Sequence, residues 1–303
     1  MDIRRLLSKF SNNHKNKRAI TESKIATAIR NSNNRKIAYL GDYKALTTTI
    51  FGHQILVDTR DLSISPHILN YGYWEIWITK AFMELVEEGM TVVEVGANVG
   101  YYTLLASSLV GETGKVYAFE ATPNTFNNLF HTIDLNGFTE RVTLVNKAVF
   151  NKSNEKFQLN TLEKCHGGNT LASLSEEYLK RRLENKPKTI EIDSVCLDDF
   201  FDEGSAFTID LIKIDAQGSE PYIFEGMHNI LKNNPHVKII IEFEPDLIKA
   251  LGVEPELFID DILQQEFTIM IIDPFSGIIP VTRREILNQS NCELLLLRSN
   301  IIK

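Results

Sequence analysis

Cysteine is scarce in this chain. Cys165, Cys196 and Cys292 are odd in number, far apart and form no Cys-x-x-Cys pair, which excludes a disulfide framework and a zinc cluster and predicts reduced thiols. Long apolar runs are also missing. None approaches the roughly 18 residues of a membrane span, and Met1-Asp2-Ile3-Arg4-Arg5 leads into no apolar secretory core, so a cytoplasmic location is expected. No internal repeat or low-complexity tract occurs. What is present is ordinary globular composition: 303 residues, 43% hydrophobic and 24% charged, enough for one sizeable core.

Basic charge is concentrated near the start. Residues 1–44 hold 11 Lys or Arg against 3 Asp or Glu, and the remainder is strongly acidic within an overall net charge of −8. An acidic body repels phosphate backbones, so no nucleic acid partner is expected. In the basic arm Ile3, Leu6, Leu7 and Phe10 recur at helical spacing beside Arg4, Arg5 and Lys9. This predicts a helix that packs on its own domain or on another subunit; the alternative is contact of residues 1–18 with an anionic membrane or a partner. Alternation over 47–58 around Phe51-Gly52-His53-Gln54 predicts a hairpin. Residues 1–70 therefore read as an extension of helix and hairpin, and 71–303 as the main domain. Oligomeric state leaves no signature.

The most informative stretch is Thr91-Val92-Val93-Glu94-Val95-Gly96-Ala97-Asn98-Val99-Gly100-Tyr101-Tyr102-Thr103. A buried strand runs into a small-residue turn and then a helix, so Gly96 and Gly100 let the backbone approach a ligand while the helix start offers free N–H groups. A dinucleotide fingerprint wants Gly-x-Gly-x-x-Gly; here the middle position is Asn98 and the last glycine comes four residues after the first. Glu94, two places before the turn, would repel a pyrophosphate and suits a cationic amino-acid moiety, the polarity of S-adenosyl-L-methionine. A second strand, Lys115-Val116-Tyr117-Ala118-Phe119-Glu120, ends in a carboxylate 24 residues after Gly96. There Glu120 can accept bonds from both ribose hydroxyls, at roughly 1.5 to 3 kcal/mol each.

Further on, a helix over 74–88 carries Trp74, Ile78, Phe82 and Leu85 on one face, with Glu75 and Thr79 placed to overlook the pocket. Residues 142–149 give a third strand with Asn146, Lys147 and Ala148 at its carboxyl end. An antiparallel pair is expected in an insertion around 155–195, with His166-Gly167-Gly168-Asn169 in the loop ahead of the polar helix. A fourth strand delivers Asp215 to the ligand-binding edge and a fifth delivers Glu242 and Glu244; 267–272 and 292–298 suit the sixth and a reversed seventh. The fold class is α/β, Rossmann-like, with a seven-stranded, mostly parallel sheet and an antiparallel last strand.

Glu94-Val95-Gly96-Ala97-Asn98-Val99-Gly100, Phe119-Glu120-Ala121-Thr122-Pro123 and Ile212-Lys213-Ile214-Asp215-Ala216-Gln217-Gly218-Ser219-Glu220 resemble the three signature blocks of the FkbM-type methyltransferases. The resemblance runs from about residue 71 to 298, with Gly72-Tyr73-Trp74-Glu75 ahead of the first strand and Val195-Cys196-Leu197-Asp198-Asp199 before the fourth. It implies a class I, S-adenosylmethionine-dependent fold and O-methylation of small molecules or glycans in natural-product or surface-polysaccharide pathways. Gln217 stands where that family usually carries Glu, which puts any chemical role of that acid in question here.

Methyl transfer to a hydroxyl needs collinear alignment and a base worth roughly 10² to 10⁴ in rate. The candidates are Asp215, Glu242 and His166, with Asp215 in front; its rival role is to hold the cofactor's ammonium. The cofactor contacts expected are Glu94, Gly96, Ala97, Asn98, Gly100, Tyr102, Thr103, Glu120, Ala121, Lys147, Ala148 and Asp215. No His cluster or ligand spacing calls for a metal. An Asn/Asp-Pro-Pro-Tyr block for amino-group methylation and a Pro-Cys nucleophile for cytosine C5 are both absent, which favours a sugar hydroxyl as acceptor. A methyltransferase-like scaffold without turnover and a nucleotide-dependent oxidoreductase remain the alternatives.

Overall fold

The computed structural model describes residues 3–182, 186–201 and 207–298, with side chains from Lys17 onward except that of Asn33. Strands covered on both faces need apolar residues at every position, and Val92-Val93, Leu211-Ile212, Ile239-Ile240-Ile241 and Leu294 to Leu297 meet that demand, all buried. In chain order the strands are β1 (Ala38–Gly41), β2 (Lys44–Thr48), β3 (Gln54–Asp58), β4 (Thr91–Val95), β5 (Lys115–Phe119), β6 (Val142–Val145), β7 (Ala148–Val149), β8 (Lys156–Thr161) and β9 (Lys188–Val195), followed by β10 (Leu211–Ile214), β11 (Lys238–Phe243), β12 (Phe267–Asp273), β13 (Gly277–Pro280) and β14 (Cys292–Arg298).

The central sheet has the order β13-β12-β14-β11-β10-β4-β5-β6. The five strands from β11 to β6 pair in parallel, and β14 runs antiparallel between β11 and β12. Seven of these are the strands foreseen from the sequence, but the third, expected over 142–149, ends at Val145, and Ala148–Val149 pairs with β9 in another sheet. The eighth, β13, was not foreseen. The Asp273 to Gly277 segment is a tight hairpin, with Asp273 Oδ1 accepting from the N–H groups of Phe275 (3.0 Å) and Ser276 (2.7 Å). It turns the chain back onto β12 for four residues, until Pro280 ends the pairing at the sheet edge. Alternate side chains feed two cores, one with Val92, Leu104 and Leu295 and the other with Val93, Ile212 and Phe224.

Ahead of the sheet, a helix (Ile3–Asn31) leads to an antiparallel sheet of β1, β2 and β3. The helix's second half packs on the main domain: Ile25 and Thr21 are buried, Lys17 pairs with Glu87, and Arg18 donates to the Ser276 carbonyl. The side chains of Ile3, Leu6, Leu7 and Phe10, on which the surface reading of residues 1–18 rests, lie outside the described residues. Behind β6, β8 and β9 form an antiparallel pair, and β9 also aligns with β7.

One glycine joins the parts of the sheet that matter most. Gly96 has φ +81°, and a Cβ there would fall 1.9 Å from the Asp215 carbonyl oxygen. The ends of β4 and β10 can therefore meet only with glycine at this position. Gly96→Ala is expected to lower the unfolding free energy measured in urea by roughly 1–2 kcal/mol for the left-handed backbone plus about 1–3 kcal/mol for overpacking. Gly137→Ala, at φ +68° with open space around it, should show the first cost alone. Equal losses in the two variants would refute the contact argument.

Candidate active site

The strand-to-helix turn after β4 carries the first half of the site. Gly96 and Ala97 both donate to the Phe119 carbonyl (2.9 Å each), which stitches the turn to the end of β5. Beneath it Glu94 is buried, accepts a 2.6 Å bond from Thr103 Oγ1, and is pushed up to about 7 by burial, against the pull of Lys213. Glu120 at the end of β5 accepts from the N–H groups of Asn98 (2.9 Å, Oε2) and Thr122 (2.8 Å, Oε1). Burial still raises it above the usual carboxylate range. A carboxylate offers about four acceptor positions, so these bonds leave room for a ligand.

The second half comes from β10 and β11. Lys213 interrupts the apolar run of β10, is 1% exposed, and lies in register beside Glu94. Its ammonium is 3.1 Å from Asp215 Oδ2 and 4.9 Å from the centroid of the Tyr102 ring. Burial alone would depress this lysine, but Asp215, Glu293, Glu94 and Glu75 hold it above its ordinary value. Asp215 responds in kind: burial would raise it, yet Lys213 and the Gln217 amide keep it below the usual range.

Gln217, at φ +49°, donates from Nε2 to Asp215 Oδ1 (3.1 Å) and to Glu242 Oε2, while its own Oε1 is buried without a partner. Asn291 Nδ2 donates to the other Glu242 oxygen (3.2 Å). Burial, then Asp215 and Glu293, push Glu242 well above its ordinary value. Glu293 sits opposite Glu242 across β11 and β14 and is raised in the same direction. Glu220 is different. It is fully buried and accepts from the Ala216 and Gly218 N–H groups (2.8 Å each), so it holds the turn that presents Asp215.

These groups surround a cavity of about 260 Å³ at the carboxyl ends of β4, β5, β10 and β11. Of the cofactor residues foreseen from the sequence, all but Gly100 and Thr103 line it. Gly100 instead turns its face to Leu129, 2.6 Å from where a Cβ would sit, and Thr103 stands behind the wall as the partner of Glu94. All three base candidates reach the cavity. Asp215 and Glu242 are joined through Gln217, whereas His166 belongs to a loop tied by its backbone N–H to Asp61 (3.1 Å) on the far side.

Lys213 and Arg182 were not singled out from the sequence, and Glu75 was expected only to overlook the pocket. Lys213 had a signal, a lysine inside a central parallel strand. Arg182, which pairs with Glu244 at 3.9 Å, had none. Glu75, at φ +36°, lines the cavity beside Asp215 and is pushed up to about 7 by burial and then by that neighbour. A left-handed non-glycine backbone at a cavity is strain kept where function sits.

The wall carries Glu75, Glu94, Glu120, Asp215 and Glu242 against Lys147, Arg182 and Lys213. The acids beside the turn, Glu94, Glu120 and Asp215, suit a ligand that brings hydroxyls and an ammonium. Among the described residues no three His, Cys, Asp or Glu side chains converge to hold a metal ion. S-adenosylmethionine fits this wall: Glu120 would take its ribose, Ala121 and Ala148 its adenine, and Glu94 with Asp215 its ammonium.

Glu120→Ala is expected to weaken S-adenosylhomocysteine at least about tenfold in calorimetric titration, the equivalent of one charge-assisted bond; unchanged affinity would remove Glu120 from the site. Gln217→Glu sets a third carboxyl between two others, so its folded pKa lies above the unfolded value of about 4.3. Its stability deficit against the parent should be absent below that value and grow as pH rises toward 8. A deficit that does not change with pH would argue against the Asp215–Gln217–Glu242 bridge.

The sequence model of the Methyltransferase FkbM domain matches residues 94–265. Among curated proteins, the protein-L-isoaspartate O-methyltransferase of Methanococcus maripaludis is 40% identical over 53 residues, covering 18% of this chain and 25% of that protein. The same enzyme of Methanococcoides burtonii is 35% identical over 60 residues, covering 20% and 29%. The chain thus spans about a quarter of the length of these relatives. Among solved structures, methyltransferase FkbM from Methylobacillus flagellatus KT is 14% identical with a TM-score of 0.37, over 72% of this chain and 50% of that one. Aeropyrum pernix fibrillarin, solved with natively bound S-adenosyl-L-methionine, is 10% identical with a TM-score of 0.42, over 86% and 99%. The family match alone covers more than half of the protein, which therefore belongs to the FkbM methyltransferase family.

Proposed function

We propose that the enzyme methylates a hydroxyl of a sugar, in a glycan or a glycosylated small molecule, with Glu75 as the proton acceptor. The observation that carries this reading is the bridge of Asp215, Gln217 and Glu242. Their polar atoms are pinned by Lys213 and Asn291, so the cavity presents a fixed row of carboxylate and amide groups. Such a row suits the several hydroxyls of one sugar ring.

Bound S-adenosylmethionine supplies a methyl group on a sulfonium. The chain's own residues hold the acceptor oxygen and take its proton. Asp215 is poorly suited to the second task, because Lys213 and Gln217 depress it and leave it a weak base. Glu75, at about 7, is half ionised at neutral pH and strong enough to accept a hydroxyl proton as the C–O bond forms. His166 borders the cavity away from the acid cluster and serves as wall. The division into an extension (1–70) and a catalytic domain (71–303) belongs to the same proposal, as do a cytoplasmic location and a role in natural-product or surface-polysaccharide synthesis.

The test is transfer of labelled methyl from S-adenosylmethionine to a panel of methyl glycosides and neutral oligosaccharides, followed against pH. Only ionised Glu75 is a base, so kcat/KM should rise through about pH 7 and level off above it. Glu75→Gln should lose roughly 10²- to 10⁴-fold in kcat and keep its affinity for S-adenosylhomocysteine. A variant with unchanged kcat removes Glu75 as base, and a panel that accepts no methyl group sinks the sugar reading.

A further inference from the structure

The cavity opens beside the short helix Ile64–Tyr71, and that helix carries a feature the methyl-transfer chemistry leaves unused. Ile64, His67 and Tyr71 are spaced three and four apart, so they share one helix face. Ile64 lines the cavity, and Tyr71, seven positions on, is 54% exposed. At the helical rise this face runs roughly 10 Å outward from the cavity. Aromatic rings follow it without a break. Trp74, itself in the cavity wall, meets His67 edge-on at 5.4 Å; His67 lies 5.3 Å from Tyr71, and Tyr71 lies 5.9 Å from Tyr73.

The segment is also uncharged. Residues 62–74 contain no Asp, Glu, Lys or Arg, in a chain of which 24% is charged. Both helix ends are locked. Asp61 accepts from the N–H groups of Ile64 (3.0 Å) and Ser65 (2.7 Å), and the Arg35 guanidinium donates to the carbonyls of Ile68 (3.0 Å), Leu69 (3.2 Å) and Asn70 (2.7 Å). These charges are spent on the helix termini, so the exposed rings form a rigid, neutral platform that leads into the reaction cavity. A stacking surface for nucleic acid would need basic residues along it, and this one has none. Flat rings with polar tips, continuous with a hydroxyl-binding cavity, match a ligand with apolar C–H faces and neutral polar edges.

We propose that Trp74, His67, Tyr71 and Tyr73 form a binding strip for the neutral sugar residues that flank the methylated unit, so that the acceptor is an oligosaccharide lying along the Ile64–Tyr71 helix. This rests on the sugar-hydroxyl reading above. The test uses the full chain saturated with S-adenosylhomocysteine and, as probes, cellotetraose, maltotetraose, mannotetraose and chitotetraose, read by saturation-transfer NMR. The double variant His67→Ala/Tyr71→Ala removes two exposed rings and should weaken the best probe about tenfold or more. Its S-adenosylhomocysteine affinity and its methyl transfer to simple methyl glycosides should stay at parental values.

No saturation transfer to any tetrasaccharide, or equal affinity in parent and variant, overturns the strip. Loss of a dimer in the double variant, seen by sedimentation, also overturns it and assigns the face to a second copy of the chain. So does selective loss of binding to phosphatidylcholine–phosphatidylglycerol vesicles. The two readings fail separately. Methyl glycosides that are methylated while tetrasaccharide affinity ignores the variant leave sugar methylation standing without the strip. Tetrasaccharides that bind through the strip while no sugar is methylated leave a carbohydrate site without the sugar chemistry.

Discussion

The buried ammonium of Lys213 is the charge around which the site is balanced. It lies at the centre of the sheet, with Glu94 in register beside it, Asp215 at 3.1 Å, and Glu75 and Glu293 close enough to raise it. A lysine this deep stays charged only while carboxylates surround it. The carboxylates in turn cannot all ionise around a single cation. The conflict resolves unevenly: Asp215, nearest to Lys213 and bonded by Gln217, keeps its charge, while Glu242 and Glu293, facing each other across two strands, hold on to protons. Glu75 and Glu94 fall between, near 7. One cation therefore sorts neighbouring acids into a fixed anion, neutral donors and a titrating base, the spread of pKa values that acid–base chemistry requires.

The backbone makes this sorting relevant to the cofactor turn. Because Gly96 lacks a Cβ, the turn that ends β4 can rest against the Asp215 carbonyl. The turn after β4 and the acid cluster are thus two sides of one contact. Asp61 does the corresponding work at the entrance. Its two oxygens accept from Ser63, Ile64, Ser65 and His166, so a single carboxylate joins the Ile64–Tyr71 helix to the loop of the β8–β9 insertion. The entrance is assembled from chain segments on either side of the first three sheet strands, and side-chain-to-backbone bonds hold it together.

The sheet was legible because its physics is local. Apolar runs of strand length, glycine at the turns and carboxylates at strand ends place β4, β5, β10 and β11 in order, and Glu94 and Glu120 follow from charge and spacing alone. β13 was hidden because four residues ending in proline carry too little periodicity to read as a strand. Glu75 was named only as a residue overlooking the pocket, since its role depends on a left-handed backbone and on Asp215, 140 positions away in the chain. Gln217 was visible as a departure from the family pattern, but its consequence was not. An amide can donate to two carboxylates at once, and only the folded turn shows that Asp215 and Glu242 are both in reach.

That departure changes what the site can tolerate. A carboxylate at position 217 would add a third negative group between Asp215 and Glu242 and need a proton or a cation to stay there. The amide needs neither. Its two N–H bonds go to the flanking acids, and its buried oxygen is the one atom of the bridge left without a partner. A buried acceptor in that position costs free energy until a donor reaches it, roughly 1–3 kcal/mol by the usual penalty for an unmade bond. Slight opening of the turn toward a hydroxyl-bearing ligand would recover that cost, so the same residue that quiets the charge of the bridge also favours a neutral donor over an anionic acceptor. Specificity of this kind comes from a polar group that only the right partner satisfies.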